Sequence, residues 1–135
     1  MARQLEAKYK NDYLAMKYPT KLQMKNVRLG PIPQVKFSRM YKVTQRRADA
    51  IVKDGDTIVI IETKLRKINE AIGQLLAYRQ LFRETPELSE WKSYGVRCEL
   101  VTPIEDVAAK RSAASEGIDY VLYQPAWVLT ELAKK

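Results

Sequence analysis

The stretch Arg46-Arg47-Ala48-Asp49-Ala50-Ile51-Val52-Lys53-Asp54-Gly55-Asp56-Thr57-Ile58-Val59-Ile60-Ile61-Glu62-Thr63-Lys64 decides how this chain folds. Its second half contains Thr57-Ile58-Val59-Ile60-Ile61, a continuous β-branched run of the kind that fills a central strand buried on both faces. Asp54-Gly55 ahead of it is a hairpin signal, because glycine accepts the backbone conformation that a tight turn demands. Residues 45–52 then read as the antiparallel partner, and pairing through Asp54-Gly55-Asp56 brings Asp49 toward Glu62. Glu62 and Lys64 are two apart on one strand and project from the same face. Taken singly, Asp49 is a strand-end residue, and Glu62 with Lys64 an ordinary charge pair worth little. Taken together, two acids and a lysine surround the most apolar strand of the protein, which points to function. Neighbouring carboxylates repel unless a cation lies between them, and hard oxygen ligands suit Mg²⁺ or Mn²⁺.

Beyond Lys64 the apolar period lengthens from two to about three and a half. Ile68, Ile72, Leu75, Leu76 and Phe82 mark a long helix that ends before Pro86. Upstream, residues 4–18 carry Leu5, Tyr9, Tyr13 and Met16 at helical spacing, and Pro19 stops the pattern. Leu29-Gly30-Pro31-Ile32-Pro33 reads as a turn, and residues 35–44 as extended structure. Toward the C-terminus we expect a strand through Leu100 and Val101 and a helix over 104–116 ended by Gly117. A strand over 119–123 and a helix over 126–133 follow. The order is that of an α/β sandwich around a mixed sheet, and 135 residues suit a single domain, 1–135.

Composition narrows the chemistry. The chain has no histidine, which removes Ser-His-Asp and Cys-His catalysis and any histidine base. Cys98 is the lone cysteine, so no internal disulfide or cysteine-based zinc site exists, and its setting in Val96-Arg97-Cys98-Glu99-Leu100 reads as core strand. A net charge of +8 favours a polyanionic partner, since phosphate neutralisation releases counterions. No apolar run approaches the ~20 residues of a membrane span, and the N-terminus resembles no secretory signal. The expectation is a cytoplasmic protein with no membrane partner.

Further along, Gln74-Leu75-Leu76-Ala77-Tyr78 sets a glutamine and a tyrosine four apart on one helix face. Asp49, Glu62-Thr63-Lys64 and this Gln-x-x-x-Tyr element together resemble the PD-(D/E)XK nuclease superfamily, in its RecB-like and Holliday junction resolvase-like branch. The match covers mainly residues 46–82, and Ala48 stands where the family name records a proline. The resemblance implies a three-layer α/β/α, restriction-endonuclease-like core with a mixed central sheet. It implies that Asp49, Glu62 and the backbone carbonyl of Thr63 bind the metal and that Lys64 orients the attacking water. Glu6 on the first helix would complete the metal site, unless it is a solvated helix charge. Gln74 would join the catalytic group and Tyr78 the substrate contacts, unless both are packing residues.

Arg46, Arg47 and Arg66, with Lys67, Arg79 and Arg83, are placed in sequence to contact phosphates or to be solvated helix charges. Trp91 and Trp127 are base-stacking residues or core anchors. The function expected is a Mg²⁺- or Mn²⁺-dependent deoxyribonuclease of repair, recombination or mobile-element processing, acting as a homodimer or recruited by a partner protein. A junction resolvase, an inert nuclease fold that only binds DNA, and a basic structural protein are the competing readings.

Overall fold

The computed structural model describes residues 2–31 and 46–134. The extended segment expected over 35–44 and the second half of the turn near Pro33 lie outside the described residues. The chain runs α1 (Ala2–Lys17), β1 (Leu22–Leu29), β2 (Arg46–Asp54), β3 (Thr57–Thr63) and α2 (Ile68–Phe82). A 3₁₀ turn (Pro86–Trp91), β4 (Gly95–Thr102), α3 (Val107–Ser115), β5 (Ile118–Leu122) and α4 (Ala126–Ala133) complete it. Among the described residues, five strands form one sheet in the order β1-β2-β3-β4-β5. β1 with β2 and β2 with β3 are antiparallel, whereas β3 with β4 and β4 with β5 are parallel.

The hairpin forms as its sequence dictates. Asp54 pairs with Thr57, leaving Gly55 and Asp56 as the two-residue loop, and Gly55 takes φ +63, which costs a glycine little. Ile58, Val59, Ile60 and Ile61 are all fully buried. A strand with no exposed face belongs at the centre of a sheet covered on both sides. Ile58 and Ile60 pack with Ile68, Ile72, Leu75 and Phe82 of α2 and Ala109 and Ala113 of α3. Val59 and Ile61 face Tyr9, Tyr13 and Leu14 of α1 and Val128 of α4. The molecule is thus three layers, with helices on both faces of a mixed sheet. Among the described residues, no helix is long and apolar enough to cross a membrane.

Four details depart from the sequence expectation. β1 is a strand that hydrophobic patterning does not reveal, because Lys25, Asn26 and Arg28 break its alternation. Among the described residues β1 ends the sheet, and a terminal strand tolerates such polar side chains. The first helix buries Leu14 rather than Met16, which is 55% exposed. α3 begins at Val107 and not at 104, because the Asp106 side chain accepts from the Ala109 amide at 3.0 Å and caps the helix there. The 3₁₀ turn over Pro86–Trp91 follows no hydrophobic period in the sequence, and it sets Trp91 into the core.

Candidate active site

Pairing between β2 and β3 runs from Asp54↔Thr57 to Ala50↔Ile61. Past that point, side chains take over. The amide and the hydroxyl of Thr63 both donate to Asp49 Oδ2, at 2.8 and 3.0 Å. The Asp49 amide donates to Glu62 Oε1 at 3.3 Å. The hairpin therefore carries Asp49 to Glu62, as its register requires, at the carboxyl end of β3. Here β3 still pairs with β4 through Thr63↔Val101, and Lys64 continues the contact by donating its amide to the Val101 carbonyl at 2.9 Å. The position, beyond the carboxyl ends of parallel strands, is where open α/β sheets present a crevice.

A cavity of about 540 Å³ opens there. Asp49, Glu62 and Thr63 line it with Glu6 of α1, Glu70 of α2 and Glu131 of α4; Lys64, Arg66 and Lys67 bring positive charge from the β3–α2 connection. Leu5, Val128 and Leu132 supply an apolar side from α1 and α4. Lys67 holds φ 53, a left-handed conformation that disfavours residues with a Cβ, and it serves as the N-cap of α2 without a side-chain capping bond. The ammonium of Lys64 is 3.8 Å from Glu70 Oε1, a loose pair.

The electrostatics centre on Glu62, which is 5% exposed. Burial first, and then the charge of Asp49, push its carboxyl up to about 8; the amide of Asp49 and the charges of Lys64 and Lys10 act the other way. Two carboxylates confined together, one of them so raised, fit a divalent cation, which would relieve both effects. Among the described residues, no group of three His, Cys, Asp or Glu side chains is arranged to hold a metal by itself. A site built on Asp49 and Glu62 would leave positions for a backbone carbonyl, water and substrate oxygen, as catalytic magnesium sites do.

Solved structures of similar fold include nucleases. The chain is similar to a repair endonuclease from Pyrococcus abyssi, with 20% identity and TM-score 0.54 over 87% of this chain and 47% of that one. It is similar to EndoMS, solved in complex with double-stranded DNA, with 23% identity and TM-score 0.51 over 87% of this chain and 44% of that one. A third similar structure is Can2 from Sulfobacillus thermosulfidooxidans in complex with cyclic tetra-adenylate, with 15% identity and TM-score 0.53 over 95% and 31% of the two chains. The fold is restriction-endonuclease-like. The chain spans less than half the length of each of these three structures. It matches no family model and no curated protein sequence.

The remaining expected site residues are distributed unevenly. Arg66 lines the cavity. Arg47 is exposed and donates to the Asn26 carbonyl at 3.3 Å, and the side chain of Arg46 lies outside what is described. Tyr78 is 3% exposed within the core, and its hydroxyl donates to the Arg47 carbonyl at 2.8 Å, so it reaches the site through β2. Gln74 is half-buried and not part of the cavity wall; its Oε1 is enclosed with no hydrogen-bond partner among the described residues. Arg79 donates to the Glu116 carbonyl, and Arg83 to the carbonyls of Lys92 and Tyr94, so both tie α2 to its neighbours. Trp127 bonds Asp12 at 2.6 Å and lies under Lys8, joining α4 to α1. Cys98 is buried, and burial pushes its thiol up to about 11, where it is no nucleophile.

Sequence reasoning missed Lys10, Asn26 and the apolar wall of Leu5, Val128 and Leu132. Lys10 lies four residues after Glu6, a spacing that shares a helix face, but without the fold nothing sets that face against Glu62.

Proposed function

We propose that this chain is a Mg²⁺- or Mn²⁺-dependent nuclease that hydrolyses phosphodiester bonds in DNA. The observation that carries the reading is the meeting of Asp49 and Glu62 at the end of β3, where the Asp49 amide donates to Glu62 and Thr63 donates to the Asp49 carboxylate, with Lys64 next in the chain and all of them on one cavity. Asp49, Glu62 and the Thr63 carbonyl would hold the ion, with Glu6 contributing from α1. When bound, the ion lowers the pKa of a water and polarises the scissile phosphate, so hydrolysis proceeds without histidine.

The protein's own groups set the geometry. Thr63 fixes the Asp49 carboxylate with two donors, and the Asp49 amide in turn orients Glu62. The Lys64 ammonium aligns the attacking water and offsets the negative charge that grows on the phosphate. Arg66 and Lys67, exposed at the mouth, meet the phosphates on either side of the scissile one. Gln74 and Tyr78 support the site from α2, Tyr78 by holding β2 at Arg47.

DNA as the substrate agrees with the net charge of +8 and with the fold shared with a repair endonuclease and with EndoMS, which was solved on double-stranded DNA. A role in repair, recombination or mobile-element processing, junction cleavage among them, and action as a homodimer or with a recruiting partner belong to the same proposal. The test is cleavage of single-stranded, duplex and branched DNA in Mg²⁺, Mn²⁺ or EDTA. Metal-dependent cleavage by the wild type, lost in Asp49→Ala and Lys64→Ala, is expected. DNA binding without cleavage in every condition would overturn the enzyme in favour of an inert module, and activity that survives Asp49→Ala would overturn the site.

A further inference from the structure

Lys10 is the single lysine or arginine among the described residues that is buried, at 8% exposed. A buried ammonium is costly unless a counter-charge or hydrogen bonds compensate it. Yet among the described residues no carboxylate lies within ion-pair distance of Lys10. Its amine bonds a neutral group instead, Asn26 Oδ1, at 3.0 Å. Asn26 itself holds φ 55, a left-handed conformation that asparagine tolerates better than most side chains.

The strand register shows what this pair stands beside. Lys25 pairs with Ala50 and Val27 with Ala48, so Asn26 stands opposite Asp49 across β1 and β2. Ala50 pairs with Ile61, so Asp49 stands opposite Glu62 across β2 and β3. Asn26, Asp49 and Glu62 form one row over three adjacent strands, and Lys10 is bound at the β1 end of that row. Its charge is felt at Glu62. Unlike Lys64, Lys10 does not line the cavity, whereas Glu6 on the same helix does. Lys10 is therefore set back from the cavity.

We infer that Lys10, held by Asn26, is a positioning residue of this row: a fixed positive charge, set back from the cavity, that limits how tightly the carboxylates hold a divalent cation. The inference rests on the proposal that Asp49 and Glu62 are the metal ligands. Lys10 offsets part of the charge of Asp49 and Glu62, so an ion bound there is held less tightly by the protein alone and best when a substrate phosphate also binds it.

The test is direct titration of Mn²⁺ into the full chain, followed by the loss of the free-ion paramagnetic signal, with thermal melting to confirm the fold. Lys10→Met removes the charge at similar length, and Mn²⁺ should bind about tenfold more tightly. Lys10→Gln, which keeps a hydrogen bond to Asn26, should do the same if the methionine variant does not fold, and Lys10→Arg should bind as the wild type does. A merely structural lysine gives the opposite sign, because loosening the row weakens the site. Unchanged or weaker binding in the folded neutral variants, with wild-type binding intact and lost in Asp49→Ala, would overturn the role of Lys10 and leave the metal site standing. A wild type that binds no Mn²⁺ would overturn both.

Discussion

Two glutamates are buried against this sheet, and they are treated in opposite ways. Glu99 on β4, 1% exposed, accepts from the Tyr13 hydroxyl at 2.6 Å, the Tyr18 hydroxyl at 2.7 Å and the Lys17 amine at 3.1 Å, with the Arg97 guanidinium 3.6 Å away. Burial and the bonds to Glu99 push both tyrosine hydroxyls far above their usual range, so these donors stay neutral and donating. Glu62 on β3, 5% exposed, has one backbone donor at 3.3 Å and a second carboxylate as its neighbour. The first acid is satisfied by the protein and docks α1 onto the sheet. The second is left short of positive charge at a cavity, as a carboxylate must be if it is to bind something else. Burial of an acid does not by itself mark a site; burial without matching donors does.

The largest effect that separates the two regions is on catalysis. Asp49→Asn keeps an acceptor for Thr63 and removes the charge from the acid pair. Cleavage of DNA in Mg²⁺ should fall by at least about a thousandfold while stability changes by no more than about 1 kcal/mol. Glu99→Ala should reverse the pattern. It strands the buried hydroxyls of Tyr13 and Tyr18 and leaves Lys17 without its counter-charge, while Arg97 keeps Asp119 at 3.6 Å. Chemical denaturation should show a loss of about 4 kcal/mol, with cleavage per folded molecule little changed. A Glu99 variant that is stable but inactive would merge the two regions and sink the comparison.

The same contrast explains what could be read in the sequence. Asp49, Glu62 and Lys64 were legible because their placement depends on one hairpin, whose turn residues and buried strand are contiguous in the chain. The three layers were legible because the apolar period changes where strands give way to helices. The Glu99 cluster was not, since it joins residues some 80 positions apart through polar side chains that follow no hydrophobic period. Lys10 was hidden for the same reason: α1 presents buried tyrosines and a buried lysine on the side that meets the sheet, and helical spacing alone does not say which lysine is enclosed. Asn26 lay in a charged edge strand that no pattern marked. The helix pair Gln74 and Tyr78 was visible as spacing, but the burial of Tyr78 and its bond to β2 are properties of packing.

A pH experiment sharpens the comparison further. Burial and the charge of Asp49 push the carboxyl of Glu62 up to about 8 in the fold, from 4.5 for an unperturbed one, so between these values the folded protein keeps a proton that the unfolded chain releases. This contribution makes stability fall as pH rises through that window, by up to about 5 kcal/mol, and levels off above it. The expected observation, in EDTA, is a decline in unfolding free energy from pH 5 to 9 that Glu62→Gln largely removes. An identical slope in the two proteins would show that Glu62 is already ionised at neutral pH without a bound cation.

The smallest expected effect concerns how the acid pair is anchored. Tyr78 is enclosed by the core, and its hydroxyl donates to the carbonyl of Arg47, two residues before Asp49 and beyond the last β2–β3 backbone pair. Tyr78→Phe keeps the ring and deletes that bond, so the Arg47 carbonyl loses a donor at the end of β2 that positions Asp49. The expected loss is about 1 kcal/mol of stability, the usual worth of one such hydrogen bond. Because the ring still packs, kcat should fall severalfold through a less fixed Asp49, while KM for DNA stays within about twofold. A large rise in KM with kcat unchanged would instead place the Tyr78 hydroxyl on the substrate, which would require the core around it to open when DNA binds.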